Sequence, residues 1–305
     1  MTRAILKAAL GAWVVLAPIS LSESLDWHVP MANAQEAPTG DAAPGVLAQP
    51  PVAERSADGS AATAAPALPE IAEALAAAQA RRVRAVEQSP IVVELFTSQG
   101  CSSCPPADEL LAEIAPRDDL IALALHVDYW DYLGWEDPFA QPAFTARQKA
   151  YARAKGERTI YTPQMIVNGA EALVGPEAET LEALVTRSKA APDHVGIAVS
   201  GMKGKYEIEL WANPPLDHPA VVQIVRYAPE ARVKILRGEN AGLELDYANV
   251  VTAWHAVAEW DGRTPQRITA TIEGNEPAVV IVQAAYPGKK VPLPGAILAA
   301  ERLTP

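Results

Sequence analysis

The sequence of 305 residues contains two cysteines, Cys101 and Cys104, and no others. It also lacks a basic stretch beyond short clusters such as Arg81-Arg82-Val83-Arg84, and its formal net charge is −12. Phosphate binding needs a basic surface, so this balance argues against nucleic acid as the main partner. Otherwise the acidity speaks to solubility. No apolar run approaches the roughly 20 residues that a permanent membrane helix requires. No internal repeat stands out, and the four methionines are scattered, with no Met or His cluster near the cysteines. What remains is ordinary globular composition, half hydrophobic and a fifth charged, in a chain long enough for two domains.

The N-terminus sets Arg3 and Lys7 before an apolar run from Ala8 to Ile19, and a polar region follows, ending Ala32-Asn33-Ala34. That order describes a secretory signal peptide cleaved near Ala34, with an uncleaved anchor as the alternative. No cysteine follows the cleavage site, which excludes a lipoprotein. Export, periplasmic or secreted, places the cysteine pair where a disulfide forms and persists. Residues 35–88 are an Ala/Pro-rich linker. Its first part cannot bury enough surface to offset its ordering entropy. Pro69 to Gln88, with Ile71 and Leu75 four apart, predicts a short helix.

From Ser89 to Pro192 short apolar runs alternate with helical patterns. Ile91–Phe96 is a strand, and the helix from Pro105 or Pro106 carries Leu110, Leu111 and Ile114 on one face. Leu120–Val127 reads as a buried parallel strand. A second helix runs from Pro142 to Lys155, with Gly156 just past its end. Met165–Val167 pairs with Leu173-Val174 across Asn168-Gly169, and a last helix spans Pro176 to Lys189. The order β-α-β-α-β-β-α predicts a thioredoxin-like domain over 89–192. Beyond it Tyr206–Trp211, Ala220–Tyr227, Val250–Trp260, Arg267–Ile272 and Ala278–Ala285 alternate in the β manner, which predicts an antiparallel β-sandwich-like domain over 193–305. The expected fold class is therefore α/β followed by β.

The chemistry concentrates in IVVELFTSQGCSSCPPADELLAEI, Ile91–Ile114. A C-x-x-C closing a strand and opening a helix suits thiol–disulfide exchange. Unpaired N–H groups and the dipole at the helix start favour a thiolate there. Cys101, the first and more exposed thiol, is the expected nucleophile with a lowered pKa, and Cys104 the resolving thiol. Asp108 and Glu109 in the first turn partly oppose that effect. The loop the pair closes is too short for a structural disulfide to constrain the unfolded chain much. Glu94 interrupts an apolar strand, and a carboxylate in an apolar run has a raised pKa. The alternative is a solvent-facing position at a sheet edge.

The blocks VVELFTSQGCSSCPPAD (Val92–Asp108), HVDYWDYLGWEDPFAQPAFTARQKAYA (His126–Ala152), YTPQMIVNG (Tyr161–Gly169) and RGENAG (Arg237–Gly242) carry a resemblance. The chain resembles the thioredoxin-like superfamily and, more closely, the secreted bacterial family called domain of unknown function 1223. The resemblance implies a thioredoxin-like domain followed by a β domain, without a settled activity. It implies a cis Pro163 beside the cysteine pair, with Thr162 before it offering backbone hydrogen bonds to a bound peptide. It also implies a buried acid on the first strand that takes the resolving thiol's proton, although Glu94 is offset by one residue from the superfamily position. Thioredoxins proper place this proline closer to the cysteines, and here an insertion containing Asp128–Gln141 intervenes.

In that insertion Tyr129, Trp130 and Trp135 are candidates for a substrate-binding wall. His126, Asp128, Asp131 and Asp137 match no standard metal-ligand spacing, and His126 reads as a satisfied core residue. Arg237–Gly242 does not follow a phosphate-loop pattern and reads as a turn, one that can face the first domain. The functional expectation is an exported thiol–disulfide oxidoreductase with no cofactor beyond its redox-active disulfide. Its substrates would be exported protein thiols or small thiols, with a separate redox partner. Two alternatives use the same scaffold: a Cu(I) or other soft-metal site made by Cys101 and Cys104, and a non-catalytic binding module.

Overall fold

The computed structural model describes residues 89–303 except 192, 193, 203, 290 and 291, together with Glu73, which is helical and exposed. The expected signal peptide, its cleavage near Ala34 and the linker to residue 88 otherwise lie outside the described residues. The described elements run in the order β1 (Ile91–Thr97), α1 (Pro105–Ile114), β2 (Leu120–His126), α2 (Pro142–Ala154), β3 (Gln164–Val167), β4 (Glu171–Val174) and α3 (Ala178–Ala190). They continue with β5 (Val195–Met202), β6 (Lys205–Ala212), β7 (Ala220–Lys234), β8 (Glu244–Trp260), β9 (Gln266–Thr271), β10 (Ala278–Tyr286) and β11 (Leu293–Leu303). The fold is mixed α/β, with one large mixed sheet and one separate antiparallel sheet.

β1 and β2 pair in parallel from Ile91↔Leu120 to Thr97↔His126, and every residue of both strands is buried. Alternation then sorts their side chains between two cores. Ile91, Val93 and Leu95 join Leu120, Ala122 and Ala124 under Leu110, Leu111 and Ile114 of α1 and Leu181, Leu184 and Val185 of α3. Val92 and Phe96 face the other way, with Leu123 and Leu125, and meet Phe144 and Tyr151 of α2. β3 runs antiparallel to β1, and its turn to β4 uses Asn168 and Gly169 with φ of 49° and 70°. Both are left-handed, as a type I′ hairpin turn requires.

The large sheet does not stop at residue 192. Its order is β11-β10-β7-β8-β2-β1-β3-β4, so four strands of the C-terminal half extend the sheet of the N-terminal half. Only β5-β6-β9 form a sheet of their own. That three-stranded sheet packs Ile197, Ile208 and Leu210 on Val222, Ile224, Val280 and Val282 of the large one. The physical reason for the join is the free edge of β2, an apolar parallel strand that needs a partner. β8 supplies it through the single parallel register Ala124↔Val250. Asn249, with φ 49°, adds a side-chain hydrogen bond from Nδ2 to Ala122 O at 2.9 Å. The sheet curls back until β11 meets the β3–β4 turn, where Ile297 N donates to Asn168 O at 2.8 Å. A Cβ on Gly169 would lie 2.6 Å from Gly295 O, so the turn seats on β11 only as glycine.

β7 and β8 form a hairpin longer than expected, paired from Ala220↔Trp260 out to Lys234↔Glu244. The sequence stops β7 at Tyr227 because Pro229 reads as a strand breaker. Pro229 sits instead between the pairs Ala228↔Val250 and Glu230↔Ala248, at the level of left-handed Asn249. The ladder also shifts between Arg226 and Tyr227. Beyond these irregularities the outer arm of the hairpin leaves the sheet and runs beside α1, near Ala112, Ala115 and Pro116. Among the described residues no helix is long and apolar enough to cross a membrane.

The Asn249 junction is testable. Asn249→Val should cost roughly 2 kcal/mol, from a strained left-handed residue and an unpaired carbonyl. Asn249→Gly should cost less, since only the hydrogen bond is lost. Urea unfolding of both variants checks the order, and equal losses would show that backbone conformation is not what matters there.

Candidate functional site

β1 ends at Thr97 and feeds a tight turn. Cys101 N donates to Ser98 O at 3.1 Å, and Cys104 N donates to Cys101 O at 3.2 Å. Cys104 O then accepts from Ala107 N and Asp108 N at 2.8 and 3.1 Å, which starts α1. Pro105 and Pro106 fit here because the first helical N–H groups have no intrahelical partner to lose. Cys101 and Cys104 form a disulfide with their Cα atoms 5.4 Å apart. Ser103 Oγ lies 3.4 Å from Cys101 Sγ. Both cysteines have 0% exposure, so the expectation of an exposed Cys101 is corrected.

Below the disulfide lies a polar cluster that the sequence reading did not assemble. Thr97 and His126 are neighbours across β1 and β2, and both are fully buried. His126 Nδ1 lies 2.7 Å from Asp137 Oδ2, which also accepts from Gln99 N at 2.9 Å. Asp137 Oδ1 accepts from Phe139 N at 2.9 Å. Burial alone would raise Asp137, but His126 and these backbone N–H groups outweigh it and hold the carboxyl below its ordinary range. Asp137 is therefore the ionised acceptor, and the imidazole Nδ1–H donates. Tyr247 of β8 packs its ring 4.9 Å from His126. Its phenol is pushed up by burial and by the charges of Asp108 and Asp137.

Asp108 is the other acid of the cluster. It sits four residues after Cys104, one turn along the same face of α1. Neither carboxylate oxygen makes a hydrogen bond of good geometry among the described residues, and the same holds for Thr97 Oγ1, His126 Nε2 and Tyr247 Oη, although the Thr97 hydroxyl lies close enough to Asp108 to oppose its shift. Burial pushes Asp108 up to about 7, against smaller opposing effects of His126 and Thr97. Asp108 therefore stays largely neutral below that pH and there adds little negative charge against a thiolate.

Above the disulfide lies the tip of the β7–β8 hairpin, residues 235–243, which contains Arg237–Gly242. Asn240, 4% exposed, donates through Nδ2 to Gln99 O and to Cys101 O, both at 2.9 Å. Glu239 Oε2 accepts from Ser102 Oγ at 2.7 Å and from Ser102 N at 3.3 Å. The sequence predicts a turn here, one that can face the first domain; in the structure it grips the cysteine turn itself. The four-residue offset from Cys104 was a usable signal for Asp108. Nothing local marked Glu239 and Asn240, because only the long hairpin brings them there.

The other expected residues divide. The Thr162-Pro163 bond is cis, and Trp130 Nε1 donates to Thr162 Oγ1 at 2.8 Å. Trp130 also abuts the turn, its Cβ 3.0 Å from where a Gly100 Cβ would stand. Trp135 Nε1 donates to Gln99 Oε1 at 2.8 Å, beside Gly238 of the tip. Tyr129 Oη donates to Gln148 Oε1 of α2 at 3.2 Å and also meets the Thr162 hydroxyl. Glu94 is a buried acid, as the resemblance implies, but both the solvent-edge alternative and its place beside the resolving thiol need correction. It is fully buried in an interior strand and faces α2, the side away from α1. Arg147 holds it from Nε at 2.6 Å and Nη2 at 2.9 Å, and Tyr151 donates to it at 2.6 Å. Arg147 stacks on Trp254, 3.8 Å from the ring centre. Asp128 accepts from Thr145 at 2.6 Å, and Asp131 accepts from Asp137 N at 3.3 Å. Both have structural hydrogen-bonding work.

A family described as protein of unknown function, DUF1223, matches residues 92–283, which include every element of this site. The chain belongs to that family. It is similar to the crystal structure of protein AGR_C_4864 from Agrobacterium tumefaciens at 31% identity and a TM-score of 0.59. That match covers 72% of this chain and 94% of the other. A weaker likeness is to HBP35 of Porphyromonas gingivalis, with 13% identity, a TM-score of 0.49, and 71% and 75% coverage. Among curated proteins there is no match.

Two outcomes follow for this DUF1223 member. Asp108 binds its proton more tightly in the folded chain than in the unfolded one. Its contribution to stability is thus full below about pH 4 and is lost as pH rises through about 7. The shift from 3.8 to about 7 corresponds to a loss of about 4 kcal/mol. Asp108→Asn should flatten the fall in stability between pH 4 and pH 8, measured by urea unfolding of the oxidised protein; an unchanged slope would show a solvated carboxyl. Glu94→Ala should cost about 3 kcal/mol or more, because it leaves the Arg147 charge buried and unpaired. The reduction potential of the cysteine pair should stay within error, and a large change there would return Glu94 to the site.

Proposed function

We propose that the chain is a thiol–disulfide oxidoreductase whose N-terminal half is thioredoxin-like. The observation that carries the reading is the Cys101–Cys104 disulfide at the start of α1, with Asp108 one helical turn after Cys104 and pushed up by burial to about 7. The spatial order β2-β1-β3-β4 supports the thioredoxin-like assignment, with β1 and β2 parallel, β3 reversed, and a cis proline entering β3. The signal-like N-terminus supports an exported, periplasmic setting, where protein thiols or small thiols are the substrates and a separate partner resets the pair.

In the oxidising direction a substrate thiolate attacks Cys101 Sγ. The bond to Cys104 breaks, and its electron pair leaves on Cys104 as a thiolate. On this reading Asp108, one helical turn after Cys104 and neutral below about pH 7, supplies the proton that this thiolate takes up. A second substrate thiolate then attacks the mixed disulfide at the substrate sulfur. The substrate leaves as a disulfide, and Cys101 leaves as a thiolate that the start of α1 stabilises. Two electrons pass from the substrate dithiol to the cysteine pair, and the reverse sequence reduces a substrate disulfide. Full burial of the pair favours a second reading, in which the domain is a binding scaffold with an inert disulfide.

One measurement separates the two. Equilibration with glutathione and thiol trapping should give a reversible potential between about −270 and −120 mV, the range of working exchange proteins. A value below about −300 mV would mark a disulfide that glutathione cannot open, and the scaffold reading would stand. Cys101→Ser should abolish exchange with the fold retained. Cys104→Ser should accumulate the mixed disulfide on Cys101.

A further inference from the structure

We infer that the tip of the β7–β8 hairpin is the specificity element of the cysteine site, held by Glu239 and Asn240 in a position that favours small thiols over protein-sized ones. The inference rests on the oxidoreductase reading and adds to it which partners the site accepts. Disulfide exchange needs the attacking sulfur to reach Sγ of Cys101 on the side away from Cys104. With both cysteines at 0% exposure and the tip bonded to Cys101 O and Ser102, no thiolate reaches either sulfur in the closed structure.

Three surfaces close around the pair. Trp130 lies against Gly100, Trp135 lies between Gln99 and Gly238, and the tip spans the turn from Gln99 to Ser102. The first two belong to the segment after β2, which is tied down by the His126–Asp137 contact and by the Trp130 bond to Thr162. The tip is the separable piece. It carries its own hydrogen bonds, Ala241 N to Gly238 O at 3.2 Å, Gly242 N to Ile235 O at 2.8 Å and Leu243 N to Asn240 O at 3.1 Å. It can thus move as a unit without unfolding. Glu239 and Asn240 contribute the side-chain hydrogen bonds from the tip to the turn. A small lift that breaks the exposed Glu239–Ser102 contacts opens a path for a small dithiol. A polypeptide needs the whole tip displaced, because the chain on both sides of its cysteine must pass the same opening. Glu239 and Asn240 are positioning residues on this account, since neither carries the reacting atoms.

The test compares two reductants on the oxidised full chain, dithiothreitol and a reduced 20-residue peptide with two cysteines, at equal thiol concentration. Each dithiol is oxidised to its disulfide as the Cys101–Cys104 pair becomes two thiols, and alkylation with mass detection reads the rate. In the unaltered chain the peptide should react about tenfold more slowly than dithiothreitol, the order of one or two charge-assisted hydrogen bonds held closed. Glu239→Gln combined with Asn240→Ala should raise the peptide rate by about tenfold and the dithiothreitol rate by roughly twofold, bringing the ratio toward unity. Glu239→Gln alone changes an exposed side chain, so it carries the same test if the double variant fails to fold.

An unchanged ratio with measurable rates would overturn the gate and leave the oxidoreductase reading in place. A rise by the same factor for both reagents would also overturn it, since the tip would then be a general shield and not a selector. No reaction of any variant with either reagent would overturn the oxidoreductase reading and the gate together.

Discussion

The rest of the structure depends on the way β8 meets β2. One parallel register, Ala124↔Val250, and one side-chain bond, Asn249 to Ala122 O, join β8 to the edge of the N-terminal sheet. Left-handed Asn249 marks the point where β8 stops following the sheet. Were the strand to continue straight beside β2, residues 244–248 would lie toward the start of that strand, and the hairpin tip would hang far from the cysteines. The bend instead carries the arm along α1, sets Tyr247 against His126 and lays residues 235–243 on the cysteine turn. The β-rich half thereby supplies both a wall and a roof of the candidate site.

The electrostatics of that site follow from two carboxylates treated differently. Asp137 accepts hydrogen bonds from His126, Gln99 and Phe139, so its negative charge is well solvated by the protein. Asp108 has only the weaker opposing effects of His126 and the Thr97 hydroxyl and is forced toward the neutral form by burial. Two acids in one buried cluster thus differ widely in proton affinity, the arrangement by which one scaffold holds a fixed charge beside a movable proton. Buried polar atoms that lack a partner among the described residues are costly to fold. On the proposed oxidoreductase reading that cost has a use, because reduction of the disulfide takes up protons as well as electrons. The Glu94–Arg147 network on the other face is the opposite case. It is buried and charged, yet nearly every donor and acceptor is matched, as a structural ion pair requires.

Much of the N-terminal half was legible because its signals are local. Apolar runs, Pro-Pro after the cysteines, Pro142 before α2 and Asn168-Gly169 each act over a few residues, and each element lies within a few residues of its expected bounds. The C-terminal half was less legible for specific reasons. Pro229 truncated β7 on the page although an irregular ladder accommodates it. β11, with Pro294 and Gly295 in an alanine-rich run, shows no clear alternation and is tolerated because it is an edge strand. Glu94 misled because composition cannot show which face of a fully buried strand a side chain occupies. Its neighbours Val93 and Leu95 face α1, so parity alone sends Glu94 to α2 and away from the cysteines.

The balance between cover and chemistry comes down to what holds the tip. Ile235 is buried at its base, but Leu236 and Leu243 are exposed at 65% and 45%, so the tip adds little apolar anchoring beyond that base. Its grip on the cysteine turn is the set of bonds from Glu239 and Asn240, groups that water can satisfy equally well once the tip moves. Hydrogen bonds exchanged for water contribute only about 1 kcal/mol each, whereas lifting α1 would expose Ala107, Leu110, Leu111 and Ile114 together. Of the elements around the disulfide, the tip is therefore the one whose displacement costs least. A fully covered disulfide and a working one are then compatible: the closed state keeps stray thiols out, and the same weak polar contacts that close it set the threshold for a partner to open it.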